Sequence, residues 1–582
     1  VVGTATKGRT YSFAANFMPI LDADTEFACK WIALSDAQVN EGIRDPIVAY
    51  EYMNRYYVVE GNKRVSVLKY FKADSIVANV TRKIPKYSED EDVKLYYEYM
   101  KFNQISGLNN IEFSKIGMVD KLLALMGSTA IWDADTRMEF NSLVNHFTKA
   151  YEFRGGRKLP IRVGDALTAF INVYGYNTVL GMSDDELSLN IVKCWNEFVM
   201  LTEKQSVGLV MDPLAAEERK GRNIFSYFMP SSAKKFTVAF LYPKSPDTSD
   251  WIYAHDLGRN YLEETFPDQM KTICVNDVTE ERTEQVLNDV IRQGADIIFE
   301  VAPQMMKDSL KVAVDHPDVK ILNCSLNTSH KYIRTYYARM YEAKFLSGMI
   351  AGALAENDRI AYIADYPIYG MIANINAFAL GASFTNPRAR IYLAWSTSEN
   401  YDRERFLKDN NIQVVSDQDM ITPRDPGRQF GLYECSEDGR KLNLVMPLWN
   451  WGVFYEKMIQ SILAGSYQSE ENSEGRALNY WWGMSAGVID LICSKNVPTG
   501  VKRLVDHLKS DIKKGDIVPF YGEIRAQDGT LKNKKDKAMK PEAIMEMDWL
   551  TDNVIGEIPT MGELRAEARP VVQIKGVEEK MK

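Results

Sequence analysis

A short turn around Gly61 carries the residues best suited to bind a negatively charged group. An apolar run ends at Val59, a glycine turn follows, and the next residues predict a helix with two cations at its start. The N–H groups of a helix start point outward, and the helix dipole favours an anion there. The alternative is an ordinary surface turn, because glycine turns often precede helices. The predicted phosphate or anion site consists of Glu60, Gly61, Asn62, Lys63 and Arg64.

The other residues capable of chemistry form no catalytic or metal-binding pattern. None of the six cysteines belongs to a C-x-x-C pair, and the five histidines include no H-E-x-x-H motif. The sequence contains neither a Walker A loop nor a G-x-S-x-G elbow. We therefore expect no metal, no cofactor, no catalytic residue and no enzymatic activity. Nucleotide chemistry through Glu60, Lys63 and Arg64 is the remaining enzymatic alternative, without an identified nucleophile.

Length and composition indicate a globular protein of two or three domains. The 582 residues exceed what one hydrophobic core organises, and 46% hydrophobic with 26% charged residues are ordinary globular proportions. The net charge of −9 disfavours a global attraction to nucleic acid or anionic membranes, so a nucleic-acid partner has weak support. No run of eighteen apolar residues exists, and no transmembrane segment is predicted.

Three regions of the chain differ in their pattern of apolar, polar and turn-forming residues. The predicted domains are residues 1–85, a helical region at residues 86–232, and a C-terminal region at residues 235–570. Within the helical region Met118, Leu122 and Leu125 recur at helical spacing, and Gly127 follows as a candidate helix end. Residues 229–235 form a short polar break, which makes them the best candidate for a linker.

From residue 236 onward, apolar runs of strand length alternate with amphipathic segments. Predicted strands cover residues 236–242, 270–275, 295–300, 319–323, 359–363 and 389–393. Continuous apolar strands that alternate with helices predict parallel sheets covered on both faces. Because this region is too long for one sheet, we expect two α/β lobes that enclose a ligand between the facing carboxyl ends of their strands.

Residues 341–355 predict a helix with an apolar face and two glycines. Gly348 and Gly352 are four residues apart, which permits close approach of another backbone. The charges of Glu342 and Lys344 argue against a membrane span and favour a helix packed on a sheet.

Through these elements the second half of the chain resembles the basic membrane protein (BMP) family, the nucleoside-binding relatives of type I periplasmic binding proteins. The matching stretches are residues 238–241, 248–253, 294–298, 316–320, 341–355, 359–382, 511–520 and 547–550. Together they extend over residues 235–560. The resemblance implies an α/β, two-lobed type I periplasmic-binding-protein fold, preceded by a small α+β domain and a helical region.

The resemblance also implies a binding site. Members of the family hold a purine nucleoside between aromatic rings, where stacking contributes ~1–3 kcal/mol per base and hydrogen bonds add selectivity. By position Trp251 is the expected stacking ring, and Asp250 beside it can accept hydroxyl hydrogens. Core packing is the alternative for each aromatic residue. The implied ligand-binding set is Asp250, Trp251, Tyr253, Asn323, Ser325, Asp365, Tyr366, Tyr369, Tyr433 and Trp449.

Two departures from the family pattern bear on the ligand. Residues 430–433 read Phe-Gly-Leu-Tyr where the family carries an aspartate, and residues 448–451 read Leu-Trp-Asn-Trp where it carries a lysine. An acid and a base are thus replaced by additional rings. Another flat ligand, such as a nucleobase or a flavin-like heterocycle, is therefore an alternative to a nucleoside.

Residues 56–71 resemble the ParB/sulfiredoxin superfamily. ParB relatives use a Gly-Glu-Arg-Arg version of this turn for nucleotide phosphates, whereas sulfiredoxins use a cysteine-bearing version. Here Asn62 replaces the acid and the turn contains no cysteine, so sulfiredoxin chemistry is not expected and nucleotide hydrolysis has little support. The resemblance implies a ParB-like domain over residues 1–85.

Two functional hypotheses follow from these resemblances. The first is the solute-binding component of an ABC transport system, or a relative of one, which binds a purine nucleoside or similar flat heterocycle and docks on a permease. The second is a cytosolic nucleoside or nucleotide sensor that uses the ParB-like domain with a regulatory partner. A long region precedes the lobes and no anchor cysteine lies near residue 235, which favours a cytoplasmic location. The alternative is a membrane-anchored, extracytoplasmic location, as in the BMP family.

Overall fold

A computed structural model describes residues 1–73, 75–128, 130–202, 207–213, 235–326, 330–420, 424, 427–436, 439–463, 467 and 477–576. The chain divides into two compact units, Val1–Ser188 and Leu189–Lys582. The boundary between the two units lies after residue 188, whereas the sequence predicted boundaries near residues 85 and 232. Residues 229–234 of the predicted linker lie outside the described residues.

The first unit begins with a four-stranded sheet. Its strands are β1 (Gly3–Thr4), β2 (Ile47–Tyr52), β3 (Arg55–Glu60) and β4 (Ala78–Arg82), in the order β1-β3-β2-β4, and its helices are α1 (Glu26–Asn40) and α2 (Asn62–Tyr70). β2 and β3 form an antiparallel hairpin whose turn residues Met53 and Asn54 have φ values of +51° and +58°, as tight turns between twisted strands require. Val65 of α2 packs on Ile47 and Val58 of the sheet, so apolar burial holds this helix in place.

The rest of the first unit is helical. Its helices are α3 (Glu91–Ser106), α4 (Met118–Leu125), α5 (Ala134–Phe153), α6 (Val163–Tyr174) and α7 (Tyr176–Leu180), and short 3-10 turns lie at Lys7–Arg9 and Gly156–Lys158. The next helix, α8 (Asp184–Lys193), contains the boundary between the two units after Ser188. Met118 and Leu122 are buried on α4, whereas Leu125 is half-buried. Gly127 follows α4 with a φ of +63°, the left-handed conformation typical of a residue just past a helix end. The predicted helix at this place is therefore confirmed.

In the second unit, strands alternate with helices. The strands are β5 (Val207–Val210), β6 (Phe236–Leu241), β7 (Met270–Val275), β8 (Ile297–Glu300), β9 (Lys320–Cys324), β10 (Ile333–Ala338), β11 (Arg359–Ala364), β12 (Arg390–Trp395), β13 (Val414–Ser416), β14 (Leu432–Cys435), β15 (Lys441–Trp449), β16 (Ala477–Trp482), β17 (Ile489–Cys493), β18 (Ile524–Arg525), β19 (Leu531–Asn533) and β20 (Val554–Ile555). All six predicted strands are confirmed, with ends that differ by at most two residues.

The helices of this unit lie between those strands. They are α9 (Trp195–Met200), α10 (Asp250–Thr265), α11 (Thr283–Arg292), α12 (Met306–Asp315), α13 (Tyr341–Leu354), α14 (Met371–Thr385), α15 (Arg403–Asp409), α16 (Trp451–Leu463), α17 (Thr499–Lys514), α18 (Pro541–Met545) and α19 (Arg569–Lys575). Short 3-10 turns lie at Glu280–Arg282, Pro303–Met305 and Met561–Glu563.

Two seven-stranded sheets form the centres of two lobes. The first sheet has the order β5-β16-β10-β9-β8-β6-β7 and is parallel throughout, as predicted. The second has the order β17-β15-β14-β13-β11-β12-β20 and is mixed, since β13, β14, β15 and β17 pair antiparallel. Residues 436–440 between β14 and β15 are too few for the crossover that a parallel pair needs. The prediction of parallel sheets is therefore wrong for half of the second lobe.

The helices α13 and α14 pack closely along their glycines. A Cβ at Gly348 would overlap the carbonyl oxygen of Phe378, and a Cβ at Gly381 would overlap that of Phe345, which confirms the predicted close backbone approach. Lys344 is buried and neutralised by an ion pair, so its charge does not mark a solvent-facing side of α13. Within the described ranges, no helix has the length and apolarity needed to cross a membrane.

Candidate functional site

A cleft of about 540 Å³ lies where the carboxyl ends of strands from the two lobes face each other. The first lobe contributes residues that follow β6, β8 and β9, and the second lobe contributes residues that follow β11, β12 and β13. In open α/β sheets, ligands bind at this end of the strands. The position of the cleft is the one that the alternation of strands and helices predicted.

Seven of the ten residues predicted to bind a ligand line this cleft. They are Asp250, Trp251, Ser325, Asp365, Tyr366, Tyr369 and Trp449. The other three, Tyr253, Asn323 and Tyr433, are not part of its lining. Lining the cleft is required for ligand contact but does not demonstrate it, so the binding roles of the seven residues stay predictions.

Asn323 is buried behind the cleft wall and holds a neighbouring residue in position. Its Nδ2 donates to Glu300 Oε2 at 2.8 Å, and its Oδ1 accepts from Ser325 Oγ at 2.8 Å. Burial raises the pKa of Glu300 to about 7. Asn323 thus orients Ser325, which does line the cleft. The position of these residues at the end of a strand did not reveal which of the two side chains points into the cleft.

Tyr433 and Tyr253 also differ from their predicted placement. Tyr433 is fully buried, and its hydroxyl donates to Asp417 Oδ2 at 3.2 Å. Asp417 pairs with Arg403 at 2.6 Å and lines the cleft. Tyr253 is half-buried on α10, two residues beyond Trp251, where the helical rotation turns its side chain away from the lining. Tyr433 therefore lies behind the cleft lining, where it contacts Asp417.

One wall of the cleft is aromatic. Trp251 donates its Nε1 to the carbonyl of Val301 at 2.8 Å and lies nearly parallel to Tyr337, with ring centres 5.9 Å apart. Trp449 stacks on the buried Trp451 at 5.5 Å and meets Trp251 edge-on at 5.2 Å. These contacts fix the ring orientations before any ligand arrives. A rigid aromatic wall of this kind suits a flat ligand.

Carboxylates face the cleft from both lobes. Asp250 stands in the first turn of α10, and Asp365 follows β11 in the second lobe. Burial, followed by the negative charge of Asp365, raises the pKa of Asp250 to about 6. Burial also raises the pKa of Asp365, which accepts a hydrogen bond from Ser396 at 2.5 Å. The pair can accept hydroxyl or N–H donors from a ligand held between the lobes.

A buried ion pair that the sequence analysis did not place in the site lies beside the aromatic wall. Lys344 of α13 bonds to Asp419 Oδ1 at 2.5 Å, and Asp419 Oδ2 accepts from Trp449 Nε1 at 3.3 Å. Burial lowers the pKa of Lys344, but the charge of Asp419, its hydrogen bond and the neighbouring Tyr362 together raise this pKa above its ordinary value. Lys344 and Asp419 both line the cleft. The available signal was a lysine near the start of a largely apolar, glycine-containing helix.

The turn at Gly61 in the first unit has the predicted strand–glycine–helix form. Gly61 has a φ of +97°, and a Cβ there would lie 2.5 Å from Ile47 Cγ2, so the position requires glycine. The Arg64 guanidinium donates to the carbonyls of Asp45 and Pro46 at 3.0 and 2.7 Å. Lys63 Nζ lies 4.5 Å from the ring centre of Phe27. Arg64 therefore has a structural role, and anion binding at the turn stays a prediction.

Two further residues of that turn differ in exposure. Asn62 begins α2 and is buried, whereas Glu60 at the end of β3 is exposed. Asn62 Oδ1 is buried and has no hydrogen-bond partner among the described residues. The turn thus presents Glu60 rather than Asn62 to solvent.

Comparison with known proteins finds a family match within the second unit. Residues 235–421 match the Bmp family, described as ABC transporter substrate-binding protein PnrA-like. The purine-binding protein BAB2_0673 of Brucella abortus is 27% identical over 339 residues, which cover 56% of this chain and 95% of that protein. The putative ABC transporter glucose-binding protein TsgA13 of Haloferax volcanii is 24% identical over 344 residues, which cover 57% and 83%.

A solved structure shows a weaker likeness. The ABC transporter solute-binding protein of Conexibacter woesei has a TM-score of 0.38 and 15% identity, and the match covers 49% of this chain and 98% of that one. The family match covers much of the part of the chain that lines the cleft. The C-terminal half of this chain is therefore similar to substrate-binding proteins of the BMP, PnrA-like type.

Proposed function

We propose that the cleft binds a purine nucleoside or a purine base, and that the protein is a solute-binding component of an ABC transport system. The observation that carries the proposal is that the aromatic rings of Trp251, Tyr337 and Trp449 and the carboxylates of Asp250 and Asp365 line one cleft. The rings suit the flat face of a base, and the carboxylates suit hydroxyl or N–H donors. A relative whose name states purine binding supports this ligand class.

The charges of the cleft favour an uncharged ligand over a phosphorylated one. Asp250, Asp365 and Asp417 line it, and of its two lysines Lys344 is already paired with Asp419, whereas Lys244 lies at the exposed rim. A phosphate would meet these carboxylates at short range in a partly buried site, where like charges repel strongly. We therefore expect nucleosides or bases to bind and nucleotides to be rejected.

Isothermal titration of the full chain tests this ligand class. Adenosine, guanosine, adenine and hypoxanthine form the first panel, and AMP, glucose and riboflavin form the second. We expect saturable binding by at least one member of the first panel and at least tenfold weaker binding of AMP than of adenosine. Glucose is included because one relative is described as a putative glucose-binding protein. Binding of glucose or riboflavin without binding of any purine would reject the proposal.

The family match bears on location and partners. It supports an extracytoplasmic protein that delivers its ligand to an ABC permease, and it gives no support to the cytoplasmic location that the sequence favoured. The alternative of a cytosolic sensor is likewise not favoured. Fractionation of cells that express the full-length protein, with and without the cognate permease, tests this part of the proposal.

A further inference from the structure

The first sheet of the second unit contains a strand from outside the region that matches the family. β5 pairs in parallel with β16 at the edge of that sheet, with Val207 opposite Ala477 and Val210 opposite Tyr480. The family match begins only at residue 235. A segment upstream of the matched region is therefore built into the ligand-binding fold.

Within the residues that the structure describes, the chain crosses between the two lobes at three places. The crossings are residues 339–340 between β10 and α13, residue 450 between β15 and α16, and residues 483–488 between β16 and β17. In two-lobed binding proteins, closure around a ligand is a rotation that is absorbed by a few residues at such crossings. Contacts that join two crossings can therefore set the angle between the lobes.

Arg339 in the first crossing binds the third crossing. Its side chain is 7% exposed, and it donates to the Trp481 carbonyl at 3.0 Å and to Ser485 Oγ at 3.1 Å. Its Nε donates to Glu342 Oε1 at 2.7 Å, and Glu342 Oε2 accepts the Met484 backbone N–H at 2.6 Å. One buried arginine–glutamate pair thus holds both crossings together.

The residues that leave β5 complete this arrangement. The Met211 carbonyl accepts a hydrogen bond from Arg339, and Asp212 Oδ1 lies 3.5 Å from the Arg339 guanidinium. Ser485 Oγ donates to the same Asp212 oxygen. Asp212 therefore contacts one residue in each of two crossings, although it lies upstream of the matched family region.

We propose that residues 207–212 belong to the hinge between the lobes. Met211 and Asp212 position Arg339, and this contact restrains the rotation of the lobes and thereby sets the ligand affinity. Asp212 is a positioning residue in this arrangement, since it acts through Arg339 and lines no part of the cleft. The link to affinity rests on the proposed function, whereas the restraint of the crossings does not.

Hydrogen exchange in the full chain without ligand tests the restraint. Asp212→Ala and Ser485→Ala should each increase the hydrogen-exchange rate of the Arg339 and Met484 amides by about threefold to fivefold. A change of this size is expected when the contribution of a half-exposed ion pair is lost. Asp212 is 54% exposed, so its replacement leaves the fold intact. Amides of β8 should be unchanged, and Asp212→Glu should restore slow exchange. Exposed Asp318→Ala is the matched control. Equal exchange in Asp212→Ala, the control and the parent would overturn the proposal.

Titration with adenosine and adenine separates this inference from the proposed function. If either purine binds, Asp212→Ala should change its dissociation constant by about threefold or more, while Asp318→Ala should not. Unchanged affinity in Asp212→Ala would overturn the link to ligand binding. If neither purine binds any variant, the ligand class fails, and the exchange of the Arg339 and Met484 amides still decides whether residues 207–212 restrain the hinge.

Discussion

The indole nitrogen of Trp449 lies 3.3 Å from Asp419 Oδ2, and this bond aims the tryptophan ring at the cleft. Asp419 also forms a buried ion pair with Lys344, whose Nζ lies 2.5 Å from Asp419 Oδ1. Behind the ring, Trp451 stacks at 5.5 Å. A stacking surface is thus held by an ion pair on its edge and by a second indole on one face, which makes Trp449 the residue on which ligand affinity should depend most directly.

Replacement of Trp449 tests that dependence. Trp449→Ala should weaken binding of adenosine or adenine by roughly ten- to hundredfold, because stacking on one ring is worth ~1–3 kcal/mol. Trp449→Phe keeps a ring but loses the bond to Asp419, so its loss should be smaller. Tyr253→Ala is the matched control, since Tyr253 lies close in sequence to Trp251 without lining the cleft. Isothermal titration measures all three, and parental affinity in Trp449→Ala would remove the ring from the site.

Asp250 predicts a pH dependence of stability. Its pKa rises from 3.8 to about 6 in the folded protein, first through burial and then through the charge of Asp365. The folded state therefore holds the proton more tightly than the unfolded chain, and stability falls as the pH rises through this interval. Asp250→Asn should melt above the parent at pH 7.5, and this advantage should shrink towards pH 4.

Thermal unfolding of Asp250→Asn and the parent at several pH values provides the measurement. Asp528→Asn serves as a control, because Asp528 is exposed and its pKa is lowered by Thr530 rather than raised. A difference between Asp250→Asn and the parent that stays constant from pH 4 to 7.5 would contradict the shift.

The glycine contact between α13 and α14 predicts a large stability effect. Gly348→Ala places a methyl group against the Phe378 carbonyl oxygen, and overpacking of this kind costs about 1–3 kcal/mol. Gly500→Ala in α17 is the control, since a Cβ there meets nothing within 4 Å. Urea unfolding followed by tryptophan fluorescence compares them. Equal stability of Gly348→Ala and the parent would show that the two helices can separate without cost.

The turn at Gly61 allows a separate test of anion binding. If the turn binds a nucleotide phosphate, Lys63→Ala should weaken binding of AMP or ADP to the first unit within the intact chain, and the loss should diminish at high salt. Arg64 is left unchanged because it holds the carbonyls of Asp45 and Pro46. Lys86→Ala, an exposed lysine of the same unit, is the control. Absence of nucleotide binding by the parent would reject the anion site.

Sequence patterns located the strand ends of the cleft, because parallel strands leave their functional residues at one edge. Asp250, Ser325 and Asp365 follow predicted strands, and all three line the cleft. Asn323 ends a predicted strand but lies within β9, and its side chain faces Glu300 inside the wall. The local sequence indicates where a strand ends. The direction in which a side chain near that end points depends on the residues that pack around it.

The sequence by itself determined the alternation of strands and helices and the glycine contact at Gly348, because apolar runs and small residues form patterns within short segments of the chain. Only the tertiary structure decided that Lys344 and Asp419, 75 residues apart, meet beside Trp449. It also decided that β5 joins the sheet and that Asp212 reaches Arg339. These contacts join distant segments whose pairing depends on how complete lobes pack, and no local pattern in the chain specifies that packing.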